Sequence, residues 1–389
     1  MEEISIYRHV DSLYTEENVS MYKPGGFHPV CLGDTFKDGR YEIYHKLGFG
    51  GYSTVWLAKD KQTKLSQEVE ILQQLRSYSP ENISSKCIVT LLDYFIHPGP
   101  NGNHQCLVFE LLGPRVDKVL QDYYDSRSRP QSQLIIRLSE QLLKAMAFIH
   151  EAGLGHGDIN GRNIAFSSSR LSKLTHDSLF EVLGTPEIDK FIRIDGKPLD
   201  KGLPTYLVES ARWTDWLDES EEDLRILDFG ESFIQGTQLE RLAQPGPLRV
   251  PESIFAESLD YRVDLWRAGC MIYSFIFLAL PFQFLGGDAA LVAQMIGFVE
   301  MLPAEWQSKW DNMRLNSGGK VQLEDSEVTL LSFDTISSIL VLPSDRISAS
   351  QALDLLRSER EKQGNISDSD SHSHSDSSSE GDSESSIHG

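Results

Sequence analysis

Apolar and polar positions change rhythm twice along this chain of 389 residues. Up to residue 40 it is polar and broken by glycine and proline, with Lys23-Pro24-Gly25-Gly26 the strongest turn signal. Tyr41 to Leu47 reads as a strand that meets a glycine cluster and resumes at Thr54–Ala58, which predicts a hairpin. Val69, Leu72 and Leu75, with Ile71 beside them, fall at helical spacing behind Ser66, a good cap. Strands return at Ile88–Phe95 and Gln105–Glu110. Beyond Leu112 the signals are mostly helical, at Arg137–Glu151, Val263–Leu280, Ala289–Met301 and Ser348–Arg357. A small β-rich unit followed by a larger helical one is an α+β plan.

Composition bounds this picture. With 40% hydrophobic and 24% charged residues, the chain is an ordinary globular protein, long enough for two lobes with their own cores. Cys270–Phe282 is its most apolar stretch, too short for the roughly 20 residues a membrane span needs, so it is expected to be a buried helix. Met1 is followed by Glu2 and Glu3 rather than by a basic and then apolar run, so no secretory leader is expected. Cys31, Cys87, Cys106 and Cys270 are scattered and fit a reducing compartment better than a disulfide framework or zinc site.

The net charge of −22 matters more. From Gly364 to Gly389 the chain is mostly Ser, Asp, Glu and His with almost nothing to bury, so the tail at 361–389 is expected to be disordered. Even without the tail's carboxylates the body is strongly acidic, which disfavours direct nucleic-acid binding and favours a basic partner.

Three motifs carry candidate chemistry. Gly48-Phe-Gly50-Gly51-Tyr-Ser53-Thr-Val55 would let a backbone turn lie close over phosphates and offer them N–H donors. In His156-Gly157-Asp158-Ile-Asn160-Gly-Arg162-Asn163, an Asp is followed five residues later by an Asn. Phosphoryl transfer to a hydroxyl uses such a pair: the Asp accepts the hydroxyl proton and the Asn holds a magnesium ion. In Leu224-Arg-Ile-Leu-Asp228-Phe229-Gly230 an apolar strand delivers a carboxylate to the metal. Scaffold signals follow: Pro251-Glu252, which resembles the end of a kinase activation segment, Asp264-Leu-Trp266-Arg-Ala-Gly269 at the start of the long apolar helix, and Arg346, at a position resembling that of the kinase arginine that pairs with this glutamate.

Taken in order, these motifs resemble the eukaryotic protein kinases over about 300 residues. A narrower likeness comes from Tyr22-Lys-Pro-Gly25-Gly26-Phe27-His28-Pro29-Val30, Gly33-Asp34, Gly39-Arg40-Tyr41, Ser53-Thr-Val55-Trp56 and Leu107-Val-Phe109-Glu110-Leu-Leu-Gly113. These segments look like the SR-protein-specific kinases, particularly fungal members. The resemblance implies a bilobal fold with an extension at 1–40, an N-lobe at 41–111, a C-lobe at 112–360 and an insertion at about 167–223. It implies a serine/threonine kinase using ATP and Mg2+ on Arg/Ser-rich proteins such as splicing factors, monomeric, in cytoplasm and nucleus, without direct nucleic-acid or membrane contact. Asp158, Arg162 and Asn163 would be catalytic, and Asn163 and Asp228 would hold the metal. Leu47, Gly48, Gly50, Gly51, Val55, Glu68, Phe109, Glu110 and Leu112 would surround the nucleotide, with Glu110 to Gly113 the hinge and Phe109 gating the pocket behind it.

The chain departs from that pattern in several places. Kinases carry a lysine on a third strand, paired with a glutamate of the next helix, here Glu68. Between the hairpin's end near Asp60 and Glu68 only seven residues remain, too few at ~3.3 Å each for that strand and its turns. No Val-Ala-x-Lys segment is present, although Lys59, Lys61 and Lys64 lie nearby. Either coding sequence has been skipped or the chain is a catalytically impaired relative. Asn160 stands where a γ-phosphate lysine is usual, and Arg162 reads as its substitute. Gly157 replaces the arginine before the catalytic Asp, so a loop phosphate has no cation there, and constitutive activity is expected. The insertion is expected to be a long loop, either functional or partly disordered. Of the acidic residues that would grip an Arg-rich substrate, the stretch after the buried helix keeps only Asp288, with Glu300 further on. A small-molecule phosphotransferase also shares the His-Gly-Asp and Asn spacing, but Phe229-Gly230, Pro251-Glu252 and Arg346 argue against it.

Overall fold

A computed structural model describes the protein at residues 7–9, 16–61, 86–168, 171–213, 216, 222–237, 239, 242, 246–256, 258–283, 287–299, 302–316, 336, 338, 340–341 and 346–358. The predicted helix at 66–75 with Glu68, the residue Glu300 and the tail at 361–389 lie outside these residues. Strands dominate first: β1 (Tyr7–His9), β2 (Thr35–Phe36), β3 (Tyr41–Phe49), β4 (Thr54–Asp60), β5 (Leu91–Gly99) and β6 (Gly102–Phe109). Two helices follow, α1 (Val116–Asp125) and α2 (Ser132–Glu151), then the short strands β7 (Leu154–Gly155) and β8 (Ile164–Phe166). Helix α3 (His176–Leu183) precedes β9 (Ile188–Arg193), β10 (Tyr206–Val208), β11 (Leu224–Ile226) and β12 (Phe233–Ile234). The chain closes with α4 (Glu252–Phe255), α5 (Arg262–Phe277), α6 (Asp288–Val299), α7 (Ala304–Asn316) and a last helix at 349–358. This mixture of sheet and helix is consistent with a protein-kinase-like fold.

β3 pairs antiparallel with β2 and β4, and β5 with β6. Among the described residues no ladder joins β4 to β5; side chains join the two sheets instead. Buried Asp93 of β5 accepts from Lys37 Nζ at 2.6 Å, Arg40 Nη1 at 3.0 Å and Tyr41 Oη at 2.6 Å. Three side-chain donors, with the Tyr94 amide as a fourth, satisfy a carboxylate charge that would otherwise be costly to bury. Around it Val30, Phe36, Tyr41 and Ile43 pack with Trp56, Phe95, Cys106 and Val108.

The large core lies between helices. α2 buries Leu134, Leu138, Leu142, Leu143, Met146, Phe148 and Ile149, and α5 is buried almost all round, as its near-continuous apolar sequence requires. Each fully buried side chain of this kind contributes about 1.5–3 kcal/mol.

The insertion corrects an expectation. Its described part is folded rather than a long loop: β9 pairs with β10 on one side and, through Tyr7 opposite Arg193, with the N-terminal β1 on the other. Val19, Tyr22 and Phe27 of the extension form a small core with Leu207 of β10. The described residues before 41 are therefore bound to the insertion and, through β2, to the first sheet. Strands β5 and β6 also run further than predicted, meeting at a tight turn between Gly99 and Gly102.

Candidate active site

The segment from His156 to Asn163 sits on a platform made by α5. Asp264, fully buried, accepts from His156 N at 2.7 Å and Gly157 N at 2.9 Å. Burial alone would raise this carboxyl, but the bond and charge from His150 and the bonds from the motif's backbone outweigh it and hold the carboxyl below its usual range. His156 is held below the ordinary imidazole value by burial, so it is neutral. Its Nε2 lies 2.9 Å from the Leu227 carbonyl and its Nδ1 3.2 Å from the Asp158 amide, which assigns the proton to Nε2. The ring also meets Phe229 edge-on, with centroids 4.9 Å apart. One histidine thus ties the Asp158 segment to the Asp228 segment.

Register does the rest. β8 and β11 pair antiparallel with Ile164 opposite Ile226, and the Asn163 carbonyl accepts from Leu227 N at 2.8 Å. Asn163 precedes one strand and Asp228 follows the other, so both emerge at the same end of the pair. Asn163 Nδ2 donates to the Asp158 carboxylate at 2.7 Å and to its carbonyl at 2.9 Å, leaving the amide oxygen as the atom a cation would take. Asp228 has a left-handed backbone (φ 56°) and accepts from Gly230 N at 3.1 Å. A carboxylate and an amide oxygen are donors of the kind magnesium takes. Arg162 stands apart: its side chain is largely exposed and lies 3.8 Å from Asp117 of α1.

The glycine cluster forms the tip of the β3–β4 hairpin. Gly48 lies opposite Val55, Gly50 N donates to the Ser53 carbonyl at 2.8 Å, and Tyr52 at the tip is exposed. Nothing lies within 4 Å of where a Cβ would stand on Gly48, Gly50 or Gly51. Val55 is 50% exposed. Phe109 ends β6, Glu110 accepts from Thr90 N at 2.8 Å, and Gly113 N donates to the Phe166 carbonyl, so the segment from Glu110 through half-buried Leu112 bridges the two parts of the fold.

The insertion also reaches this region. Leu57, Leu171, Leu183, Ala211 and Trp213 form one cluster against which Leu47, Leu111 and Trp216 pack. Ala211 N donates to the Lys46 carbonyl at 2.9 Å, and a Cβ on Gly113 would stand 2.5 Å from the Trp216 ring. Asp288 is engaged by Arg249, whose Nη1 lies 2.5 Å away, so it is not the open acidic grip expected.

No family model matches the chain. Curated proteins do. The chain is 38% identical over 167 residues to protein kinase dsk1 of Schizosaccharomyces pombe, covering 38% of this chain and 30% of that protein. It is 28% identical over 284 residues to serine/threonine-protein kinase SRPK of Physarum polycephalum, covering 66% and 65% of the two. By sequence, the chain is SRPK-like. A serine/threonine protein kinase of Aspergillus fumigatus matches this SRPK-like chain at 28% over 346 residues, 80% of each. The chain spans less than two thirds of the length of dsk1 and of SRPK.

Two features of this SRPK-like chain escaped the sequence reading. One is the insertion's contact with Leu47 and Leu111, for which separated Trp213 and Trp216 gave no periodic signal. The other is Arg267, whose side chain is fully buried beneath Gly157 and Asp158. Its signal was present: a cation well inside a mostly apolar helix, three residues after Asp264.

Proposed function

We propose that this chain is a protein serine/threonine kinase that transfers the γ-phosphate of ATP to hydroxyls of basic, Arg/Ser-rich proteins of the splicing-factor type. The observation carrying this reading is the β8–β11 pair, which sets Asn163 and Asp228 at one end with Asp158 hydrogen-bonded to Asn163. Asp158 accepts the substrate hydroxyl's proton and orients its oxygen. Asn163 and Asp228 would hold Mg2+, which would neutralise charge on the phosphoryl group that ATP supplies. Exposed Arg162 would swing from Asp117 toward that charge. The acidic chain draws in a basic substrate.

Under this reading the strands at 41–111 form the small lobe and the helical part at 112–360 the large one. The protein acts as a monomer in cytoplasm and nucleus. The test is phosphate transfer from labelled ATP to an Arg/Ser-repeat peptide. The parent should label serine and Asp158→Ala should not; equal labelling by both would rule out Asp158 as the base. A second reading, a catalytically impaired kinase-like scaffold, is favoured by the short stretch before Glu68 and by the insertion packed on Leu47 and Leu111. It predicts no transfer by the parent and undiminished peptide binding.

A further inference from the structure

Asp158 is held from two sides. Asn163 Nδ2 takes Oδ2 at 2.7 Å, and Arg267 Nη1 lies 3.5 Å from Oδ1. The same Nη1 donates to the Gly157 carbonyl, so the guanidinium fixes the peptide just before Asp158 as well as its carboxylate. Arg267 has no exposed side-chain surface and rises from α5 directly below the loop. Burial lowers its affinity for the proton, and the facing carboxylates of Asp158, Asp264 and Glu231 work in the opposite direction. A guanidinium keeps its charge in such surroundings.

No cation could come from position 157 itself. Gly157 has φ +80°, and a Cβ there would stand 2.3 Å from the Glu231 carbonyl oxygen. We propose that Arg267 is the positioning residue for Asp158, a built-in cation from α5 that orients the proton-accepting carboxylate without help from a side chain at 157 or a phosphate on the loop. This role rests on the kinase reading above. Because the guanidinium is internal and permanently charged, the carboxylate is oriented before any substrate arrives. Arg267 itself touches neither substrate nor nucleotide.

The test compares steady-state kinetics of the parent, Arg267→Met and Arg267→Lys on an Arg/Ser-repeat peptide, with thermal unfolding of each and phosphatase treatment of the parent. Misorientation of a reacting group costs up to about a hundred-fold in rate. Arg267→Met should therefore lose roughly ten- to a hundred-fold in kcat with the KM values for peptide and ATP nearly unchanged. Arg267→Lys should recover part of that loss, because it restores a charge but not the planar fork. Phosphatase treatment should leave the parent's kcat in place. A merely structural role would lower the yield of folded protein without this split between kcat and KM. Should Arg267→Met fail to fold, Arg267→Lys decides: a kcat loss at constant KM supports the role, and parent-like kcat overturns it. An active parent whose folded Arg267→Met variant keeps its kcat overturns the role alone. A parent without phosphotransfer overturns the kinase reading and this role together.

Discussion

Arg346 lays its guanidinium against the Glu252 carboxylate, Nη2 to Oε2 at 2.9 Å, across 94 residues of chain. The pair is buried, and Arg346 also donates to the carbonyls of Val341 and Arg262 while lying over the Trp266 ring. Removing one partner strands the other's charge, which costs about 3–5 kcal/mol. Arg346→Met should lower stability by that amount in urea unfolding. A loss below about 1 kcal/mol, the range of a surface pair, would mean the bridge holds nothing together.

Gly157→Ala tests the loop's geometry. Alanine at φ +80° is strained, and its Cβ would press on the Glu231 carbonyl. A loss of about 1–3 kcal/mol is expected by thermal or chemical unfolding, together with weakened phosphotransfer. A variant as stable as the parent would show that the backbone readily leaves this conformation.

Stability should fall in acid partly through His28. This imidazole packs between His97, His104 and Phe36, and burial, followed by the neighbouring imidazoles, lowers its pKa to about 4. The unfolded value is near 6.5, so between these limits the unfolded chain binds more protons than the folded one. Stability contributed by neutral His28 is present above 6.5 and lost as pH drops toward 4. Melting temperature against pH should be flatter in this window for His28→Phe. Identical profiles would assign the acid sensitivity elsewhere.

The insertion's grip on the first sheet can be weakened at Trp213, which is 8% exposed and packed with Leu57 and Leu183. Trp213→Ala should cost about 3–5 kcal/mol. It should also make the chain around Leu47 more open to proteolysis, read by mass spectrometry of early cleavage products. Unchanged stability and cleavage would show that the cluster does not hold the insertion down.

How far the sequence revealed all this depends on the signal each residue carries. The helices α2 and α5 were legible because long apolar periodicity survives any context, and so was the Glu252–Arg346 partnership because its motifs are distinctive. β9 and β10 were not: Ile188-Asp-Lys-Phe-Ile-Arg193 mixes charges into a short strand whose partner β1 lies at the far end of the chain. Non-local pairing of that sort leaves no local trace. Asp288 carried the right type for a basic substrate, but only coordinates reveal that Arg249 already holds it. Spacing marked Asp158, Asn163 and Asp228 as candidates, and the fold brings Asn163 and Asp228 to one end of the β8–β11 pair with Asp158 bonded to Asn163, whereas the place of Arg267 beneath Asp158 shows only in the folded chain.

The most direct measurement is thermal unfolding with ATP and Mg2+ added, for the parent and for Asp228→Ala. Ligand at 100 times its dissociation constant stabilises the folded state by about 2.7 kcal/mol, a rise of a few degrees in a chain of this size. The account predicts that rise for the parent only in the presence of both ATP and Mg2+, and its loss in Asp228→Ala. A parent unmoved by ATP and Mg2+, or an equal rise in both proteins, would contradict it.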